Sequence, residues 1–97
     1  MVNPLAVFGI SHVRIDILKA LISNGEASVA DLSDQLGMTR TGLIRHLLLL
    51  ETQGIAYRRQ TTHPRGSGPI TYWHADLDEV SILIDSFRTI LLEPTWC

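Results

Sequence analysis

The chain has 97 residues, a formal charge of −2, and side chains that are 45% hydrophobic and 19% charged. That length suits one domain, and that balance favours a folded chain over a disordered one. A single cysteine, Cys97, excludes an internal disulfide framework and a cysteine-only zinc site, so a reduced, cytoplasmic setting is expected.

Along the chain, Asn3 and Pro4 offer a cap and a first helical residue for a short apolar helix, PLAVFGI, broken near Gly9. The first basic residue is Arg14, so no secretory leader is expected. No apolar run approaches the ~20 residues of a membrane span, so no membrane partner is expected either. The stretch SHVRIDILKALISNG has a helical period, with Val13, Ile17, Leu18, Leu21 and Ile22 on one face and Arg14, Asp16 and Lys19 turned away. Asn24 and Gly25 stop it. Ser28 and Asp31 have the spacing of a capping box for VADLSDQL, which should bury Val29, Leu32 and Leu36 and end at Gly37.

Only Met38 separates Gly37 from Thr39, which can cap a further helix running from about Arg40 to Gln53. Two helices joined by so short a glycine-containing turn must cross steeply, which is the helix-turn-helix signature. On a helical wheel Leu43, His46, Leu47 and Leu50 look inward. Arg40, Thr41, Ile44, Arg45 and Leu48 look outward, and Leu49 sits on the flank, packing under the hairpin or the next helix. The β-rich segments IAYRRQT and ITYWH then enclose THPRGSGP, giving a hairpin with a long tip. Asp76 and Glu79 have capping-box spacing for a last helix that stops before Pro94. The expected fold is mainly α with a small β-hairpin. It is one winged helix-turn-helix domain over residues 1–97, with flanking N- and C-terminal helices. The helix-turn-helix covers about 28–53, the wing about 55–74, and the terminal helix about 76–92.

Charge is segregated along this order. Between Thr39 and His74 there are five arginines and one acid, Glu51, whereas the rest of the chain is acidic. A basic middle suits an anionic partner. A helix fits the major groove of double-stranded DNA with its N-terminal residues at the base edges. Arg40, Thr41 and Arg45 suit bases or phosphates there, Ile44 a thymine methyl, and Thr39 the cap or a phosphate. In the wing, Arg58 and Arg59 alternate across the strand and cannot both face a duplex. Arg65, among the glycines of the tip, suits phosphate or the minor groove.

In the last helix Leu77, Val80, Ile84, Phe87 and Leu91 recur at intervals of three and four, widened by Ile82, Leu83 and Ile90. This seam suits a homodimer, whose two recognition helices would meet half-sites about 34 Å apart on a palindrome. His12, His46, His63 and His74 lack ligand spacing, with His46 and His74 read as packed, structural residues. No glycine-rich phosphate loop or nucleophile motif is present, so no metal, no cofactor and no enzyme activity are expected. The competing reading is a winged-helix protein-interaction module, which exposed Ile44 and Leu48 would suit.

The chain resembles the ArsR-like winged-helix repressors. HVRIDILKAL is similar to that family's first core helix. VADLSDQLGMTRTGLIRHLLLLETQGIAYRR is similar to its helix-turn-helix, including Arg45-His46-Leu47, Leu50 and the Glu51-x-x-Gly54-Ile55 exit, and ITYWH to the second wing strand. The helix-turn-helix pattern is shared with MarR-like relatives. The resemblance implies a homodimeric transcriptional repressor that releases operator DNA on binding an effector. There are departures. The first helix of the turn has no Cys-x-Cys pair, and the last helix has Asp78 and Asp85 but no histidine, so metal sensing is not carried over. The wing loop is long. Gly42, inside the recognition helix, costs about 1 kcal/mol relative to alanine and suits close approach of the backbone to a duplex.

Overall fold

Capping residues delimit the first three helices. A computed structural model describes residues 11–62 and 69–92. The apolar helix expected before Gly9, the wing tip with Arg65, and Cys97 lie outside these. The described residues form α1 (His12–Asn24), α2 (Val29–Leu36), α3 (Arg40–Thr52), strands β1 (Ala56–Thr62) and β2 (Pro69–Ala75), and α4 (Leu77–Leu92).

Ser11 caps α1, and Gly25, at φ 80°, closes it by donating its N–H to the Leu21 carbonyl. At α2 both halves of the capping box form: Asp31 N–H donates to Ser28 Oγ (3.2 Å) and Ser28 N–H to Asp31 Oδ2 (3.5 Å). Gly37 sits in the left-handed region at φ 65°, where a side chain is strained, and its N–H bonds the Ser33 carbonyl. Ser33 Oγ then donates to the Met38 carbonyl at 2.6 Å, pinning the three-residue turn Gly37-Met38-Thr39. At α4 the box is only half made. Glu79 N–H donates to Asp76 Oδ1 (3.1 Å), but the N–H of Asp76 is taken by the Ile55 carbonyl at 2.7 Å.

The strands pair antiparallel, with Arg58 opposite Trp73 and Arg59 opposite Tyr72. Ala27 extends this sheet by one residue, exchanging both backbone hydrogen bonds with Trp73 at 3.1 and 2.8 Å. The linker between α1 and α2 is thereby tied to the hairpin. The core lies where the three helices meet this junction. Ile17, Leu21, Leu32, Leu43 and Leu47 are fully buried, and Ala20, Ala27, Leu50, Ala56 and Trp73 nearly so.

The buried face of α1 differs from the one expected. Ile17, Ala20 and Leu21 are buried, while Val13 and Ile22 are exposed. Ile22 lies five residues after Ile17, about 140° around the helix, so it turns away. Val13 lies in line with Ile17 but in the first turn. Arg14, expected in solvent, is half-buried, and its Nε has no hydrogen-bond partner among the described residues. Leu49 is exposed rather than covered by the hairpin. No residue of α4 is buried. The radius of gyration is 16.1 Å, against about 13 Å for a compact chain of this length, and the molecule measures 61 × 25 × 20 Å.

Candidate nucleic-acid interface

The helix α3 is held from one side and open on the other. Leu43, Leu47 and Leu50 anchor it in the core. Arg40, Thr41, Ile44, Arg45 and Leu48 occupy an arc of about 140° on the opposite face, all of them exposed. Neither Arg40 nor Arg45 has a carboxylate partner among the described residues. The strip is therefore cationic at its N-terminal end, with Ile44 and Leu48 running through it.

Thr39 is the cap. Its Oγ1 accepts the N–H of Gly42 at 3.2 Å, so the hydroxyl expected to serve either the cap or a phosphate is engaged in the cap. The same contact accounts for Gly42. A Cβ at that position would stand 3.1 Å from Thr39 Oγ1, crowding the hydroxyl that caps the helix. No requirement for a nearby duplex is needed to explain the glycine.

The strand arginines are placed differently from those of α3. Arg58 Nε lies 3.0 Å from Glu51 Oε2, with its guanidinium 5.6 Å from the centre of the Trp73 ring. Arg59, on the other face of the hairpin, donates from Nη2 to Glu26 Oε2 at 2.8 Å and lies 5.4 Å from the Tyr72 ring. Both are cation–π distances. The hydrogen bond from Arg59 holds the Glu26 carboxyl below the usual carboxylate range, and the same bond raises the guanidinium of Arg59. His74 stacks on Tyr57 with centroids 4.9 Å apart, and its Nε2 is 3.3 Å from Glu26 Oε2, close enough for an ion pair on protonation but outside hydrogen-bond geometry. The sequence reading missed both ion pairs. Alternation put the two arginines on opposite faces, but Glu26 is 33 residues from Arg59, and no local pattern reports that contact.

Among the described residues no group of three or more His, Cys, Asp or Glu side chains is placed to hold a metal ion. No described helix is long and apolar enough to cross a membrane.

The family model described as bacterial regulatory protein, arsR family, matches residues 11–58, which run from the cap of α1 through α3 into β1. Over residues 11–58 the chain is ArsR-like. The proteins that this model describes are regulatory proteins. An uncharacterized protein of Methanocaldococcus jannaschii is 32% identical over 79 residues, covering 81% of this chain. The chain spans 65% of the length of that curated relative. Three solved structures share the fold. A possible transcriptional regulator from Methanosarcina mazei has a TM-score of 0.63 at 14% identity, over 90% of this chain and 78% of its own. A transcriptional regulator homologue from Pyrococcus horikoshii has a TM-score of 0.58 at 21% identity, over 77% and 82%. The reduced form of MarR from E. coli has a TM-score of 0.61 at 18% identity, over 92% and 63%. The ArsR-like and MarR-like architectures thus overlap in this chain's fold.

Proposed function

We propose that this chain is a sequence-specific, double-stranded DNA-binding transcriptional repressor. It acts as a homodimer in the cytoplasm and works as one winged-helix domain. One observation carries the reading: the outward strip of α3, with Arg40 and Arg45 exposed and without a carboxylate partner among the described residues, stands on a helix whose other face is locked in the core. Arg40, Thr41, Ile44 and Arg45 enter the major groove, and Thr39 presents the helix N-terminus to a phosphate through its backbone. Arg65 reaches the backbone or the minor groove from the wing tip. Phosphate contacts supply most of the affinity, and the α3 side chains supply base discrimination. The seam of Leu77, Ile84, Phe87 and Leu91, exposed on α4, with the half-buried Val80, forms the dimer interface. An effector, where one exists, has a groove of about 370 Å³ between the end of α3 and α4, lined by Gln53, Ile55, Glu79, Ile82, Leu83 and Ser86.

The test is a random-oligonucleotide selection with the purified chain, followed by competition gel shifts. Selection should return a palindrome. Arg45→Ala should lower the preference for the selected site over random DNA about tenfold, as expected for loss of a base contact worth ~1–3 kcal/mol. Arg65→Ala should weaken both duplexes alike. Equal losses on every sequence for Arg45→Ala would remove it as a reader. A chain with no salt-dependent DNA binding would leave the second reading, a protein-interaction module, which exposed Ile44, Leu48 and Leu49 favour.

A further inference from the structure

The basic middle of the chain contains two kinds of arginine. Arg40 and Arg45 stand exposed on α3 with no carboxylate partner among the described residues, whereas Arg58 and Arg59 are each held between an aromatic ring and a carboxylate. The carboxylates come from outside the hairpin: Glu26 from the linker between α1 and α2, and Glu51 from the last turn of α3. Glu51 is an unfavourable residue for that place, because the last turn of a helix carries the negative end of its dipole. Arg58 offsets this, so a phosphate that took Arg58 would leave Glu51 facing the helix end without a counter-charge. Both pairs are partly open to water, with side-chain exposures of 47% and 30% for Arg58 and Glu51 and of 50% and 42% for Arg59 and Glu26. Exchange of one oxyanion for another therefore needs no opening of the core. A guanidinium has five N–H donors, and a single contact at Nε or at Nη2 leaves donors for an incoming phosphate.

We propose that, on the face of the hairpin that meets the duplex, the carboxylate there (Glu51 against Arg58, or Glu26 against Arg59) is an intramolecular competitor of DNA phosphate for its arginine, and so sets how tightly, not where, the chain holds a duplex. This rests on the DNA-binding reading above. The rings of Trp73 and Tyr72 keep each guanidinium in place whichever oxyanion it meets. That carboxylate damps sequence-independent affinity, and the bare strip of α3 dominates the choice of site. For a repressor that must leave random DNA to find an operator, weaker backbone attraction shortens its stay on every non-specific site while the ratio of specific to non-specific binding stays the same.

The test uses the full chain, with fluorescence anisotropy on the selected duplex and on a random duplex across a sodium chloride series. Wild type is compared with Glu26→Gln, Glu51→Gln, the double variant, and Asp78→Asn as a charge-matched change on α4. The double variant should bind both duplexes on the order of tenfold more tightly, with the ratio between them unchanged. Its slope of log affinity against log salt should steepen by about 0.9, for the one phosphate gained by the arginine that faces the duplex. Adding Arg58→Ala and Arg59→Ala to the double variant should abolish the gain. Circular dichroism melts confirm that each variant is folded. Affinities and slopes matching those of Asp78→Asn, with wild-type binding intact, overturn this proposal alone, as does a gain confined to the selected sequence. Absence of salt-dependent binding by wild type overturns it together with the DNA-binding reading.

Discussion

The helices α3 and α4 are both rich in leucine and isoleucine, and each follows a side-chain cap, yet they end up in opposite environments. In α3, Leu43 and Leu47 are fully buried and Leu50 nearly so, and only the face carrying Arg40 and Arg45 is open. In α4, Leu77, Ile82, Leu83, Ile84, Ile90, Leu91 and Leu92 are all more than half exposed, with Ile90 at 73%. The difference lies in what flanks each helix. The pinned turn at Gly37 and Met38 and the hairpin at Ala56 close around α3. The other helix leaves the body at the end of β2, and none of its residues is buried among the described residues. Apolar composition alone therefore does not say which helix builds the subunit and which is left for a partner. Contiguous exposed apolar surface of this kind marks an interaction site.

Substitutions can break that contrast from either side. The largest effect should come from Leu47→Ala, which leaves a cavity in the filled core. Chemical denaturation should show a loss of about 2–5 kcal/mol. Ile84→Glu on α4 should leave the melting of the isolated subunit almost unchanged and weaken self-association more than tenfold in sedimentation velocity. A monomeric wild type, or an Ile84→Glu chain that stays dimeric, would remove α4 as the interface. Thr39→Ala deletes the cap of α3 and should cost about 1 kcal/mol in the same denaturation experiment. Gly42→Ala should be nearly neutral, because its gain in helix propensity is set against crowding of Thr39 Oγ1. In a Thr39→Ser background that crowding remains.

The smallest effect concerns Glu26. Its carboxyl is held low in the folded chain, so the folded state binds fewer protons there than the unfolded state does. The contribution of the pair with Arg59 is therefore complete above the usual carboxylate range and is lost as pH falls through the lowered value. A carbon-detected NMR titration should show Glu26 titrating below the usual carboxylate range in wild type. In Arg59→Ala it should move upward.

The course of the chain could be read from local chemistry because its punctuation is local. Ser28 and Asp31, Gly37, Thr39 and the change to a β-rich period at Ile55 each act over three or four residues, and each appears where expected. The inward leucines of α3 follow from a 3.6-residue period. What could not be read depends on segments distant in sequence. The Ile55 carbonyl takes the N–H that Asp76 would have offered to Glu79, so spacing alone overstates the cap of α4. Leu49 sits between the buried and exposed arcs of α3, and only the path of the hairpin decides that it is uncovered. The wing shows the same limit more clearly. Arg58 and Arg59 look alike in sequence to Arg40 and Arg45, and only the fold brings Glu51 and Glu26 against them.

The hydrogen bond from Asp76 to Ile55 has a mechanical consequence. It clasps the residue that enters the hairpin to the residue that leaves it for α4, making one joint of the two. The helix beyond that joint is a rod about 24 Å long. A tilt of ten degrees moves its far end by ~4 Å and twists the clasp at its near end. Whatever grips the rod thus pulls on the root of the wing, and the hairpin feels its load without touching it.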